Sequence, residues 1–92
     1  MITRSYVLED EADAHVEVVD GLWFLHVNVF HNVPSVYKWL RECFDEVEKL
    51  AKENGQHALF ALTPSPEFCD VIYPTDDVEH MDGDFYLVTW GL

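Results

Sequence analysis

Five histidines, two cysteines and a run of acids are the residues in this chain whose types could do chemistry. His15, His26, His31, His57 and His80 offer ring nitrogens to a metal, yet no two stand at i,i+4 and neither Cys43 nor Cys69 lies in a C-x-x-C pair. His26 and His31, five apart along what reads as a strand, are expected on opposite faces. DDVEHMDGD (76–84) has the composition of a calcium loop, but its oxygen ligands and closing Glu are not at the required positions, so it reads as a hairpin tip. A nucleophilic Cys69 would need an imidazole in reach and a cationic or helix-terminal setting, and neither is visible in the sequence. It reads instead as a small buried filler. Ser35 lacks the G-x-S-x-G surroundings of a nucleophile elbow and is assigned to the start of a helix. The expectation is no catalytic residue, no metal and no cofactor.

Charge says more than the reactive side chains. The chain has 92 residues, 5 Lys or Arg against 18 Asp or Glu, and a net charge of −13. Such a field repels nucleic acid and anionic lipid, which leaves a basic protein as the partner to expect. From Glu53 to the C-terminus there are eight acids and no base, and residues 5–37 hold six acids and no base. Lys38, Arg41, Lys49 and Lys52 share one segment, where Asp45 to Lys49 and Glu48 to Lys52 are favourable i,i+4 pairs. Outside it the acids have almost nothing to neutralise them. A solvated surface that keeps the chain soluble is the plain explanation, and a docking surface is the functional one.

The elements that would position these residues follow from periodicity. At 49% hydrophobic and 14% aromatic residues, the chain is apolar enough to fold, and its length fits one domain, residues 1–92. No run approaches the ~18–20 apolar residues of a membrane span. The reduced state expected for both cysteines and the lack of a secretory signal point to the cytoplasm. ITRSYVL (2–8) reads as a strand and EDEAD (9–13) as an acidic loop. HVEVVDGLWFLHVNVF (15–30) reads as a hairpin turned at Asp20-Gly21, a pair that favours a type I′ turn. Pro34 opens a long helix and Gly55 closes it, with Val36, Leu40, Cys43, Val47 and Leu50 at helical spacing and Phe44 and Ala51 widening the stripe. HALFALT (57–63) is a short strand, and SPEFCDVIY (65–73) a brief helix with Ser65 as its cap. A second hairpin turned at Asp82-Gly83 ends the chain. The fold class is α+β: a mostly antiparallel sheet of five or six strands, one long and one short helix, in the order β-β-β-α-β-α-β-β.

Along 22–30 both faces are apolar: Trp23, Leu25, Val27 and Val29 on one, Leu22, Phe24, His26, Asn28 and Phe30 on the other. The long helix covers one face. The other is expected to be covered by the 66–73 helix and the N-terminal segment, or else by a second chain, which leaves a homodimer open.

LWFLHVNVF, VYKWLRECFDEVEKLAKENGQ, HALFALT, SPEFCDVIY and DVEHMDGDFYLVTW, over roughly 22–90, follow one another as the elements do in the C-terminal half of the GNAT N-acetyltransferase superfamily, which the chain resembles. The likeness is greatest to GNAT-like accessory and internal virion proteins of bacteriophages, and it implies a host cytoplasmic setting. Active members carry Q/R-x-x-G-x-G/A at the strand-to-helix turn, where backbone N–H groups approach the coenzyme A pyrophosphate. This chain has HNVPSV there. Without glycine a Cβ stands in the way, and Pro34 removes a donor. The expected function is therefore a non-enzymatic acidic interaction protein, an inhibitor or DNA mimic that binds a basic nucleic-acid-binding protein. Glu67, Asp70, Asp76, Asp77, Glu79, Asp82 and Asp84 are its expected contact residues. A diverged acetyltransferase or acyl-coenzyme A binder, and a phage assembly protein that self-associates, are the alternatives.

Overall fold

The computed structural model describes residues 2–92. Eight elements follow in the expected order: β1 (Ile2–Leu8), β2 (Ala12–Val19), β3 (Leu22–Val29), α1 (Pro34–Glu53), β4 (Ala58–Thr63), α2 (Pro66–Ile72), β5 (Asp77–His80) and β6 (Tyr86–Gly91). All six strands form one sheet in the order β1-β2-β3-β4-β6-β5. The sheet is mixed: β3 and β4 run parallel, and the other neighbouring pairs are antiparallel. A parallel pair needs a crossover, and α1 supplies it.

Asp20 and Gly21 both have positive φ, 52° and 79°, as a type I′ turn requires. β2 begins three residues earlier than the sequence implied. Only residues 9–11 form the turn, closed by the Glu11 N–H to the Leu8 carbonyl at 3.0 Å, while Ala12 and Asp13 already pair with β1 and β3. The acids concealed a strand alternation, with Ala12, Ala14 and Val16 buried and Asp13, His15 and Glu17 on the other face.

α1 forms because its apolar residues recur on one stripe: Val36, Leu40, Cys43, Phe44, Val47 and Ala51 are buried. Pro34 occupies its first turn, where a missing N–H costs nothing. Its end is held by the Asn54 side-chain amide donating to the Leu50 carbonyl at 2.8 Å, followed by Gly55 at φ 77°. The predicted Glu48 to Lys52 pair forms at 3.3 Å. α2 starts without the cap assigned to Ser65. That side chain makes no capping bond, and the Ser65 N–H donates to the Thr63 hydroxyl at 3.0 Å instead.

The core lies between the helices and one face of the sheet. Register pairs put Ala12, Ala14 and Val16 of β2, Trp23 of β3, Leu59 and Ala61 of β4, and Val88 and Trp90 of β6 on that face, all buried. α2 packs beside α1 on the same side. The Arg41 guanidinium donates to the Val71 carbonyl at 3.1 Å, Tyr37 meets Phe68, and Phe44 stacks on Tyr73 at 4.6 Å while meeting Trp90 edge-on at 5.1 Å. The Trp90 indole N–H completes the contact by donating to the Tyr73 carbonyl at 2.9 Å.

The expected cover for the second face is therefore overturned. The short helix lies with the long one because Cys69 and Ile72 belong to the same core as Val88 and Phe44. Among the described residues no element lies over the opposite face.

Candidate interaction surface

The uncovered face is built by alternation. Ser5 and Val7 of β1, Asp13, His15, Glu17 and Val19 of β2, and Leu22, Phe24, His26 and Asn28 of β3 point away from the helices. So do Phe60 and Leu62 of β4, Leu87 and Thr89 of β6, and Asp77 and Glu79 of β5. Phe24 and Phe60 are register partners across the parallel pair, with ring centroids 5.6 Å apart. Val7 is 74% exposed, Leu62 51%, and Val19 and Leu22 44% each. Large apolar side chains sharing one unshielded sheet face mark a contact surface more often than a solvated one.

Polar groups border this apolar band and hold one another. His15 and His26 are cross-strand partners whose rings stack at 4.7 Å, and the His26 Nε2 lies 3.1 Å from the Glu17 carboxylate. Next along the strands, the Asn28 amide donates to Asp13 at 2.9 Å. Asp77 and Glu79 border the band on its other side, in the exposed edge strand β5.

Every base lies on the helical side. Arg4 is in register with the buried Val16 and pairs with Glu46 of α1 at 3.2 Å, and the other four bases are in α1 itself. The uncovered face thus holds acids and, among the described residues, no Lys or Arg.

The seven acids expected to form the contact are not equivalent. Asp70 accepts both the Thr75 N–H, at 2.9 Å, and the Thr75 hydroxyl, at 3.1 Å, and these bonds hold its carboxyl below the usual aspartate range. Asp76 accepts the Gly91 N–H at 2.6 Å and so fastens the start of β5 to the end of β6. Both are occupied in structure. Asp77 and Glu79 face the open side. Asp82 and Asp84 sit in the five-residue connection between β5 and β6, where Gly83 has φ 68° and the Met81 N–H meets the Phe85 carbonyl at 2.9 Å. Glu67 stands in the first turn of α2, on the helical side. Asp13, Glu17, His15 and His26 were missed as site residues. The signal for Asp13 was the polar alternation hidden in residues read as a loop; for His15, Glu17 and His26 it was the alternation within 15–19 and the two-sided apolar pattern of 22–30.

The strand-to-helix turn is held by backbone hydrogen bonds. The Phe30 and His31 N–H groups both donate to the Glu11 carbonyl, at 2.7 and 3.1 Å, and the Val33 N–H donates to the His31 carbonyl at 3.1 Å. Pro34 has no N–H. The donors that could cradle a pyrophosphate are largely spent. β3 ends at Val29, so His31 lies in this turn and not on a strand face as its spacing implied.

A cleft of about 290 Å³ is lined by Leu40, Cys43, Phe44, Val27, Phe68 and Cys69, among others. It opens where β3 and β4 separate after their one register pair, Phe24 with Phe60. Both cysteines are free and buried, and desolvation pushes each thiol up to about 11. Such a shift keeps both in the thiol form at neutral pH. The Tyr6 hydroxyl at the edge of the cleft is shut off from water without a hydrogen bond of good geometry. Burial raises its pKa, and Glu46 adds to the rise, while the neighbouring Arg4 only partly offsets both. Among the described residues no three His, Cys, Asp or Glu converge on a metal position, and no helix is long and apolar enough to cross a membrane.

The fold and surface define a small α+β protein with one two-helix layer on a mixed sheet and one unlayered, acid-bordered face. Comparison with family models, with curated proteins and with solved structures finds no match.

Proposed function

We propose that the chain is a non-enzymatic interaction protein that binds a basic protein, one whose cationic surface ordinarily meets nucleic acid. The observation that carries this is the segregation of charge: the uncovered sheet face and the β5 edge bear Asp13, Glu17, Asp77 and Glu79, and the chain's bases stand on the far side of the sheet. Opposed fields speed encounter and weaken with salt. Carboxylates arrayed along strands imitate part of the phosphate spacing of a duplex, one charge per ~1.7 Å of axis. This reading makes the chain an inhibitor or DNA mimic working in the cytoplasm, including a host cytoplasm if a phage supplies it. The parallel β3–α1–β4 unit, followed by α2 and a terminal hairpin, supports kinship with the C-terminal half of the GNAT fold. The test is capture of basic nucleic-acid enzymes on the immobilised protein, with elution by salt, against a variant carrying Asp77→Lys, Glu79→Lys, Asp82→Lys and Asp84→Lys. Loss of salt-eluted capture in the variant is expected. Equal capture by both would refute it.

An acyl-coenzyme A binder is a second reading favoured by one feature, the apolar cleft between the parted strands β3 and β4. The spent donors of the 30–34 turn oppose it. Acetyl-coenzyme A should leave the melting temperature unchanged, and a rise on adding it would revive this reading.

A further inference from the structure

We propose that the uncovered sheet face is the docking surface itself, and that its occupant is an amphipathic helix of the partner protein whose apolar stripe is bordered on both sides by Lys or Arg. This rests on the reading of the chain as an acidic interaction protein and specifies which surface is used and what it takes.

Apart from Val7, which stands on β1 beyond Asp13, the large apolar residues of the face form a diagonal band. It starts at Val19 and Leu22, which are register partners beside the β2–β3 turn, crosses Phe24 and Phe60, and ends at Leu62 and its register partner Leu87. From the strand spacing and the rise per residue the band is roughly 20 Å long, the length of a helix of about 13 residues. Acids stand around it: Glu17 is the register partner of Phe24 on one side with Asp13 farther along β2, Asp77 follows Thr89 on the other side, and Glu79 is the partner of Leu87 at its end. An apolar stripe with cations on each side is the complement of that pattern.

A second copy of this chain does not match. Face to face, the band of one copy would bring its four flanking acids against those of the other, with no base on either surface. Head to tail, the band would meet the outer surface of α1, where Glu42, Asp45, Glu46 and Glu53 stand among the lysines and Arg41 is already bonded to Val71. An anionic membrane is repelled by the same acids.

The probe is a synthetic Leu/Lys amphipathic helical peptide, titrated at low and at high salt into the full chain while the methyl and ring resonances are followed. Leu22, Phe24, Phe60, Leu62 and Leu87 should shift, whereas the buried Val36 and Val47 should not. Leu22→Lys with Leu62→Lys alters only exposed positions and should lower the affinity about 10-fold or more. Asp82→Lys with Asp84→Lys, in the turn beyond the band, should change it less than about 3-fold. Affinity unaffected by the leucine pair but lost with the aspartate pair would overturn the docking surface and leave the acidic interaction reading standing. No peptide binding at low salt, with salt-eluted capture intact, would overturn the helix as occupant only; if the capture failed too, both readings would fall. A dimer dissociated by Leu62→Lys, or binding to neutral lipid vesicles through the same leucines, would assign the face to another occupant and also overturn the proposal.

Discussion

The two faces of the sheet are made from the same strands and the same residue classes, but only one is layered. On the helical face small and large side chains, Ala12, Ala14 and Ala61 with Trp23, Leu59 and Trp90, share one core with Phe44 and Ile72 of the helices. On the other face large apolar residues stand as neighbours, Phe24 beside Phe60 and Leu62 beside Leu87, and among the described residues no element packs over them. A face shaped for interdigitation is filled from within the chain. One left without a layer, with acids among its apolar side chains and no Lys or Arg, is suited to a surface that comes and goes.

The sharpest break of this comparison is a matched pair of truncations. Phe44→Ala should cost about 3–5 kcal/mol in urea unfolding, because Tyr73 and Trp90 lose the ring they both pack on. Leu62→Ser, on the other face, should cost less than about 1 kcal/mol. Equal costs would mean that the second face also works as a core.

The thiols give the next largest effect. Cys43 and Cys69 should react with a thiol reagent near neutral pH on the order of a hundred-fold more slowly than in the unfolded chain. Both folded values lie above the ordinary 9.0, at about 11, so the native thiol form is favoured below 9 and the stability it contributes is lost as pH rises from 9 toward 11. Rapid labelling at neutral pH would show that the cleft beside α2 opens readily.

Smaller effects separate the structural acids from the free ones. Asp70→Asn should lower the melting temperature at neutral pH. Because the folded carboxyl titrates below its ordinary range, the gap to wild type should close as pH falls through that range and past the lowered native value. A gap that stays constant with pH would mean that Thr75 does not select the ionised form. Asp82→Lys with Asp84→Lys should leave the melting temperature within a degree or two, or raise it slightly as repulsion falls. A large drop would move these residues from the free set to the structural one.

Much of the fold was legible because it is local. The stripe from Val36 to Ala51, the helix stops at Pro34 and Gly55, and the Asp20-Gly21 turn each depend on residues within a few positions. The start of β2 was not legible, because acids at alternate positions look like a loop until a neighbour supplies pairing. The side chosen by α2 was hidden for a different reason: it is decided by Phe44 and Tyr73, 29 residues apart in the chain, finding one another. The same limit applied to the site. Composition announced an acidic surface, but it could not tell that Asp70 and Asp76 spend their carboxylates on Thr75 and Gly91, nor that Asp13 and Glu17 border the apolar band.

The most direct measurement of the central claim is a calorimetric comparison of wild type with the Leu22→Lys, Leu62→Lys variant, each titrated with the Leu/Lys helix at low salt. The variant should melt as wild type does and bind about 10-fold or more weakly. Equal affinity in a folded variant would mean that the uncovered face is not the docking surface.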